Sequence, residues 1–372
     1  MPEIILKNIN KRFGKFVAVE NLDLVIADRD FVTLLGPSGC GKTTTLRMIA
    51  GLETPTSGEI YIDGRLVFSS EKGIDISPDK RDVGFLFQNY ALWPHMTVYK
   101  NISFGLENMK WDKQRIDTRV KELLVMLRIE EFVDRYPSEL SGGQQQRVAI
   151  ARTLATGAKV LFMDEPLSNL DAKLRMEMRT ELKRLHLETD STFVYVTHDQ
   201  LEAMTLSSKI CLLKEGVLQQ YQPPLEVYHN PANTFVADFV GSPNINFMEA
   251  VGRNVNLDEI VLEMGGVNLV FTPVSSGITV SSGQKLILGL RPEHIGIAED
   301  GPIRGKIYST LPSGMETIVK VEVGGHILTS VVFGGVDFKV DEEVGIRFDS
   351  AQYILFDKEN GQNLALGKLS VV

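Results

Sequence analysis

The chain has 372 residues, of which 43% are apolar and 23% are charged, and its formal net charge is −9. This length predicts two or three domains, and this apolar content is sufficient for globular cores, which excludes a largely disordered chain. The acidic balance argues against nucleic-acid binding over the whole surface, and two cysteines, Cys40 and Cys211, are too few for a disulfide framework and fit a reducing compartment.

The first residues, MPEIILKNINKRF, contain no basic segment followed by an apolar one, so we expect no secretory leader. No stretch of the sequence reaches the ~18 to 20 apolar residues that cross a bilayer as a helix. We therefore expect a chain that neither spans a membrane nor is secreted, although integral partners could hold it at a membrane surface.

Four short apolar runs in the first 200 residues predict buried strands of a parallel α/β sheet. They are FVTLL at 31–35, VGFLF at 83–87, VLFM at 160–163 and TFVYV at 192–196. Residues suited to chemistry follow each run: Gly36 with a glycine-rich loop, Gln88, the pair Asp164 and Glu165, and Thr197 with His198. Because ligands of open α/β sheets bind beyond the carboxyl ends of the strands, these four ends indicate one shared site.

The loop after the first run, GPSGCGKT at Gly36–Thr43, matches the phosphate-binding pattern G-x-x-x-x-G-K-[ST] and lies between a predicted strand and a predicted helix. Its glycines allow backbone amides to face phosphate groups at the positive end of the following helix. We expect Lys42 to reach the β- and γ-phosphates and the Thr43 hydroxyl to hold Mg²⁺.

The acidic pair after the third run supplies the second half of a nucleotide-hydrolysing site. We expect Asp164 to bind the Mg²⁺ shell, which leaves Glu165 to orient and polarise the attacking water. Two adjacent acids at the end of an apolar run are otherwise costly to bury. His198 is expected to donate a hydrogen bond to the γ-phosphate and Gln88 to contact the water or the metal, although either residue alone is more often structural.

The segment LSGGQQQRVAIARTL, at 140–154, predicts a second anion cradle at the start of a helix. Ser141 is a suitable N-cap residue, and the glycines that follow allow backbone amides to approach an anion closely. Because the chain has only one phosphate loop, the expected ligand of this cradle is the nucleotide on another subunit. The alternative is a capped helix without a ligand. Helical spacing also predicts helices over 112–136 and 171–188.

The composition changes near residue 240. More than half of the 32 glycines follow residue 245, among alternating segments such as TIVKVEV and HILTSVV. Short strands with frequent glycine turns are typical of a small all-β barrel or sandwich. The expected domains are therefore 1–240 and 241–372.

Six motifs in this order resemble those of the ATP-binding cassette subunits of ABC transporters, over roughly residues 3–240. They are the Walker A loop Gly36–Thr43, the Q-loop Gln88, the signature Leu140–Gln144, the Walker B segment Val160–Glu165, the D-loop Ser168–Asp171 and the switch histidine His198. The resemblance implies an α/β P-loop NTPase cassette with a mostly parallel core sheet, an antiparallel β part and a helical insert at about 89–155. It also implies ATP hydrolysis with Mg²⁺ in a head-to-tail homodimer, or in a dimer with a close homologue.

The resemblance further implies a nucleotide site that two copies share. One copy contributes Phe13, Ser38, Gly39, Cys40, Gly41, Lys42, Thr43 and Thr44, and the opposing copy contributes Ser141, Gly143, Gln144 and Asp171. Phe13 matches the adenine-stacking aromatic of the family, and a core position for its ring is the alternative. Since stacking distinguishes purines poorly, the expectation of ATP rather than GTP rests on the resemblance alone.

Two further segments, at 87–106 and 289–297, resemble the subgroup typified by the maltose-transporter ATPase, which carries a C-terminal OB-like β domain. This resemblance implies sugar import at the cytoplasmic face of the membrane, with permease subunits touching the insert near Trp93, Pro94 and Met96. An extracellular solute-binding protein would act indirectly, and no nucleic acid is expected. Polyamine importers share this layout, and a soluble cassette ATPase or a P-loop kinase are further alternatives. The β domain either supports dimerisation and regulation or is a stabilising cap.

Overall fold

The structure, a computed structural model, describes residues 3–256, 259–264, 267–348, 350 and 352–371. By its internal contacts the chain divides into two compact units, Met1–Pro224 and Leu225–Val372. The expected domain boundary at about residue 240 stays a prediction. Among the described residues, no helix is both long enough and apolar enough to cross a membrane.

The strands of the first unit form two sheets. In chain order they are β1 (Ile4–Phe13), β2 (Phe16–Ile26), β3 (Phe31–Leu35), β4 (Ser57–Ile62), β5 (Arg65–Ser69), β6 (Ile74–Asp75), β7 (Val83–Leu86), β8 (Val160–Asp164), β9 (Thr192–Val196), β10 (Lys209–Lys214) and β11 (Val217–Gln222). The antiparallel sheet has the order β2-β1-β4-β5-β6, and the core sheet has the order β11-β10-β3-β9-β8-β7.

The core sheet confirms the α/β class. Strands β3, β8 and β9 are buried along their whole length, as expected of parallel strands covered on both faces. From β10 to β7 all neighbours pair in parallel, and only β11 joins its neighbour antiparallel. The four predicted strands therefore lie in one sheet with their carboxyl ends at the same edge.

Most of the helices lie between these strands in the sequence, and the last two follow them. In chain order they are α1 (Lys42–Ala50), α2 (Val98–Asn108), α3 (Lys113–Leu127), α4 (Gly142–Ala155), α5 (Ala172–Glu188) and α6 (Gln200–Leu206), followed by α7 (Pro224–His229) and α8 (Thr234–Phe239). The predicted helix over 112–136 ends early, because Arg128 adopts a left-handed φ of 55° that closes α3. The helices α2, α3 and α4 share one hydrophobic core and form the predicted insert.

The second unit is mostly β structure. Its strands are β12 (Asn246–Asn254), β13 (Ile260–Met264), β14 (Val267–Pro273), β15 (Gln284–Leu290), β16 (Ile295–Ala298), β17 (Ile303–Pro312), β18 (Glu316–Val323), β19 (His326–Phe333), β20 (Glu343–Phe348), β21 (Tyr353–Asp357) and β22 (Asn363–Val371). A closed barrel has the order β12-β13-β14-β22-β21-β15, and a separate sheet has the order β16-β20-β17-β18-β19. The predicted barrel is confirmed, with a second sheet that shares its hydrophobic core.

Candidate nucleotide site

The loop between β3 and α1 has a backbone that only glycine accommodates at several positions. Gly36, Gly39 and Gly41 have φ values of 150°, 81° and 98°. A Cβ atom would lie 2.2 Å from the Leu213 carbonyl oxygen at Gly36, and 2.3 Å from the Ala18 carbonyl oxygen at Gly41. Gly36 and Gly41 are therefore required by close backbone packing as well as by the turn, and Gly39 by its positive φ alone.

A cavity of about 270 Å³ opens beside this loop, and it gathers residues from three separate parts of the sequence. Its lining comprises Phe13, Phe16, Ala18, Ser38, Gly39, Gly41, Lys42, Thr43, Thr44 and Glu165. The structure thus brings together most of the residues expected on one side of the nucleotide. Cys40 is different, because its side chain packs in the hydrophobic core, where burial raises the pKa of its thiol. Only its backbone can face the loop's ligand.

Two phenylalanines stand at the mouth of this cavity. Phe13 and Phe16 are paired across the hairpin that joins β1 to β2. Their exposed fractions are 47% and 59%, so the alternative that placed Phe13 in the core is wrong. The ammonium of Lys11 lies 4.6 Å from the centre of the Phe13 ring. Sequence reasoning missed Phe16, although the symmetry of FGKF around its turn could have indicated it.

The side chain of Lys42 is nearly buried and directed at the loop itself. Its Nζ donates hydrogen bonds to the carbonyl oxygens of Gly36, at 2.7 Å, and Pro37, at 2.9 Å. Phosphate oxygens are stronger acceptors for an ammonium than neutral carbonyls are. Lys42 can therefore exchange these carbonyls for the terminal phosphates of a nucleotide without leaving the loop.

Thr43 and Asp164 form a pair of oxygen ligands beside Lys42. The Thr43 hydroxyl donates to Asp164 Oδ1 at 2.9 Å, and Arg47 Nη2 lies 3.5 Å from Asp164 Oδ2. Burial raises the pKa of the Asp164 carboxyl, while the Thr43 hydrogen bond and the Arg47 charge oppose that rise. A hydroxyl and one carboxylate fit Mg²⁺, which usually takes only one or two protein carboxylates together with phosphate oxygens and water. Arg47 was not predicted.

Glu165 has an unusual backbone conformation that is fixed by a hydrogen bond to the neighbouring strand. It is a non-glycine residue with φ of 45°, and its N–H donates to the Val196 carbonyl at 3.0 Å. Its Oε2 lies 3.3 Å from Nδ1 of His198. The end of β8 and the end of β9 thus place a carboxylate and an imidazole together, with Glu165 in the lining of the cavity.

Gln88 is oriented differently from the expectation. It does not line the cavity, and its Nε2 donates to the Ser168 hydroxyl at 3.3 Å. Ser168 in turn donates to the Glu165 carbonyl at 2.9 Å, and Asn169 donates to the Gln88 carbonyl at 3.0 Å. In this state the Q-loop is therefore tied to the D-loop, and the contact of Gln88 with metal or water stays a prediction.

The signature residues also lie outside this cavity. Ser141 and Gln144 form a capping box at the start of α4: the Ser141 hydroxyl accepts from the Gln144 N–H at 3.4 Å, and the Gln144 side chain accepts from the Ser141 N–H at 2.8 Å. At Gly143 a Cβ atom would lie 2.9 Å from the Leu174 side chain, so this glycine also serves helix packing. Asp171 caps α5 by accepting from Leu174 N–H at 3.0 Å. The exposed Ser141 is free to meet another molecule.

A buried network that sequence reasoning missed supports the histidine loop. The Glu202 carboxylate, 3% exposed, accepts hydrogen bonds from the Tyr195 hydroxyl at 2.8 Å and the Thr197 hydroxyl at 2.7 Å. Arg175 approaches the same carboxylate at 3.9 Å. Thr197 directly precedes His198, so this network fixes the end of β9. The signal in the sequence is an acid one helical turn after the histidine.

Comparison with known families agrees with this geometry. The model of the ABC transporter family matches residues 19–168, that of the MalK OB fold domain matches 241–295, and that of the TOBE domain matches 288–356.

The chain is also similar to curated proteins along most of its length. It is 44% identical to the trehalose/maltose import ATP-binding protein MalK of Thermococcus litoralis, over 97% of this chain and 99% of that protein. It is 45% identical to the maltose/maltodextrin import ATP-binding protein MalK of Vibrio cholerae, over 87% of this chain and 86% of that protein.

Solved structures resemble the cassette part of the chain. One is a dimeric post-hydrolysis state of the ATP-binding cassette MJ0796 bound to ADP and Pi, with 35% identity and a TM-score of 0.52, over 59% of this chain and 98% of that one. Another is cbiO1 of Clostridium perfringens, part of the cbiONQ transporter complex, with 31% identity and a TM-score of 0.55, over 60% of this chain and 89% of that one.

Proposed function

Because this chain belongs to the family of ABC transporter ATP-binding subunits, we propose that it hydrolyses ATP to drive the import of a sugar of the maltose or trehalose class. It acts as a pair of copies beneath membrane-spanning permease subunits at the cytoplasmic face of the membrane. An extracellular solute-binding protein delivers the sugar to those permeases. The sugar class is supported by the names of the two MalK relatives and by the large share of this chain over which they match.

One observation supports the proposal: the phosphate loop and the signature residue Ser141 of one copy do not share a cavity. The cavity beside the phosphate loop contains Lys42, Thr43 and Glu165, whereas the exposed Ser141 lies outside it. A helix N-terminus with an exposed hydroxyl is suited to an anion. A second copy, docked head to tail, supplies Ser141 and Gly143 to the phosphate that the first copy holds.

Different residues of one copy contact the base, the phosphates, the metal and the attacking water. Phe13 and Phe16 contact the base, while Lys42 moves from the Gly36 and Pro37 carbonyls to the terminal phosphates. Thr43 and Asp164 would hold Mg²⁺, which would neutralise charge on the phosphates. Glu165 orients the attacking water, and His198, whose Nδ1 lies 3.3 Å from Glu165 Oε2, donates to the γ-phosphate.

The cycle follows from differential affinity. The γ-phosphate contacts both copies in the closed pair but only one copy in the open pair, so ATP favours closure. Hydrolysis and loss of phosphate remove the contacts with the partner's Ser141 and reopen the pair. The helical insert, which contains Trp93 near the end of the Q-loop, conveys this change to the permease.

Replacing Glu165 with Gln tests the proposal, because an amide cannot polarise the attacking water as a carboxylate does. We expect ATP binding to persist, turnover to fall by ~10³-fold or more, and a dimer to accumulate with ATP, as measured by phosphate release and light scattering. In a strain lacking this gene, only the unaltered chain should restore uptake of radiolabelled maltose or trehalose. Restored putrescine uptake instead would favour the polyamine alternative, and an active monomeric Glu165→Gln chain would contradict the mechanism.

A further inference from the structure

The backbone just beyond Gln88 is held in an unfavourable conformation. Tyr90 and Ala91 are consecutive non-glycine residues with φ values of 60° and 47°. The left-handed region is disfavoured for such residues, so two in succession persist only where the surroundings hold them. The Tyr90 hydroxyl is also buried without a hydrogen-bond partner among the described residues. This segment therefore stores strain two residues after Gln88.

One side chain of the signature helix holds this strained segment. Arg152, in the last turn of α4, donates from Nη1 to the Ala91 carbonyl at 2.6 Å and from Nη2 to the Tyr90 carbonyl at 2.7 Å. Its guanidinium also lies 4.9 Å from the centre of the Trp93 ring. The planar fork of arginine matches two adjacent carbonyls in a way that a lysine ammonium cannot.

The contacts of the Arg152 guanidinium are with backbone carbonyls and the Trp93 ring. Burial lowers the pKa of its guanidinium, and within the described ranges no acidic group lies at ion-pair distance from it. A half-buried cation that binds carbonyls is costly to desolvate unless its geometry is maintained. The contact between α4 and the Tyr90–Ala91 segment is therefore specific, and a small displacement of either side weakens it.

We propose that Arg152 is a positioning residue that transmits movement of the Gln88 segment to the signature helix α4. This inference rests on the function proposed above, in which Ser141 of one copy meets the phosphate that the other copy holds. Arg152 lies eleven positions after Ser141, so a rigid helix carries its displacement over ~16 Å to the N-cap.

Residues 93–97, which follow the Tyr90–Ala91 segment, are also held firmly. The Asn101 side-chain amide donates to the carbonyls of Trp93, Met96 and Thr97 at 3.2, 3.0 and 3.1 Å. Its oxygen accepts from the Trp93 N–H at 2.9 Å. Because residues 93–97 are anchored to α2 in this way, motion at Gln88 is not absorbed by the rest of the loop and is passed through Arg152.

The test separates nucleotide binding from closure of the pair. In a Glu165→Gln background, Arg152→Met should raise the ATP concentration for half-maximal dimerisation by ~10-fold, a typical coupling between sites. In a Ser141→Arg background, which prevents closure, the same change should leave the affinity for a fluorescent ATP analogue within ~2-fold of its parent. Arg147→Met is the matched control, because Arg147 is also in α4 and donates to a backbone carbonyl, that of Leu127 at 3.3 Å. It should alter neither value.

A second variant keeps the test valid if Arg152→Met is poorly folded. Ala91→Gly removes the left-handed strain, so Ala91→Gly/Arg152→Met should regain most of the lost thermal stability without regaining dimerisation at low ATP. Dimerisation of Arg152→Met at the parent's ATP concentration, or full recovery of dimerisation by Ala91→Gly, would overturn the inference. Failure of the Glu165→Gln parent itself to dimerise would contradict the proposed function and this inference with it.

Discussion

At the scale of single residues, several residues of the site are held in place by neighbours that have no part of their own in the proposed reaction. Arg47 stands beside the buried carboxylate of Asp164, and Ser168 links Gln88 to the backbone of Glu165. Glu202 anchors Thr197, the residue before His198. These contacts fix the reactive groups before a nucleotide arrives, which reduces the reorganisation needed during the reaction.

Replacing Glu202 with Leu is expected to destabilise the cassette by ~2 to 4 kcal/mol, because the hydroxyls of Tyr195 and Thr197 would stay buried without an acceptor. Turnover should fall as well, since the loop that carries His198 loses its support. Urea denaturation and phosphate release measure the two effects. Tyr195→Phe is the control, because it removes one donor, leaves the acceptor bound to Thr197, and should cost only ~1 kcal/mol. An equal loss in both variants would contradict this role of Glu202.

The residues that could be predicted from the sequence are those that directly follow a predicted strand. The phosphate loop, Asp164 and Glu165 follow directly from strand ends, and the structure places the loop and Glu165 at one cavity with Asp164 bound to Thr43. Gln88 could not be oriented from its sequence, because its hydrogen bond to Ser168 joins segments 80 positions apart. Arg152 was equally hidden, since its partners are backbone carbonyls that have no sequence signature.

At the scale of elements, short polar caps determine where the functional helices begin. At the start of several helices the side chain of the N-cap residue accepts a backbone hydrogen bond, as it does at Thr97, Asp112, Ser141, Asp171 and Asn233. The buried strands were predictable because continuous apolar runs are typical of covered parallel sheets. The end of α3 was not, because apolar residues continue past Arg128 while its backbone turns left-handed.

The segment RPEH, at 291–294 within the stretch 289–297, supports two short helices through its arginine. Arg291, 2% exposed, donates to the carbonyls of Ala237, Val240 and Tyr228 at 2.9, 2.6 and 2.8 Å. Its guanidinium also lies 4.0 Å from the centre of the Tyr228 ring. One side chain thus secures the ends of α7 and α8 within the second unit.

Arg291→Met is therefore expected to destabilise the second unit by ~3 kcal/mol or more, because three buried carbonyls would lose their donor. The affinity for an ATP analogue should not change, because the phosphate loop belongs to the other unit. Chemical denaturation together with nucleotide titration measures both. Glu293→Gln is the control: it alters the exposed hydrogen bond of 2.6 Å from Tyr228 and should cost less than ~1 kcal/mol. A stable Arg291→Met chain would contradict this role.

At the scale of the whole molecule, the two predicted anion sites, the phosphate loop and the start of the signature helix, do not share the cavity beside the loop. The phosphate loop lines that cavity, and the signature helix presents an exposed Ser141 elsewhere on the same unit. Because the chain has one phosphate loop and a second cradle at Ser141, the sequence predicts that this second cradle binds the nucleotide of another copy, and this stays a prediction. The sequence could not supply the route between the two sites, which depends on side chains that pack across the insert.

The most direct test of the shared site is a crystal structure of the Glu165→Gln chain with Mg²⁺ and ATP. We predict two copies arranged head to tail, with Ser141 of each copy at hydrogen-bond distance, ~2.6 to 3.0 Å, from the γ-phosphate held by Lys42 of the other. An ATP-bound structure in which Ser141 lies far from any partner's γ-phosphate would contradict the account.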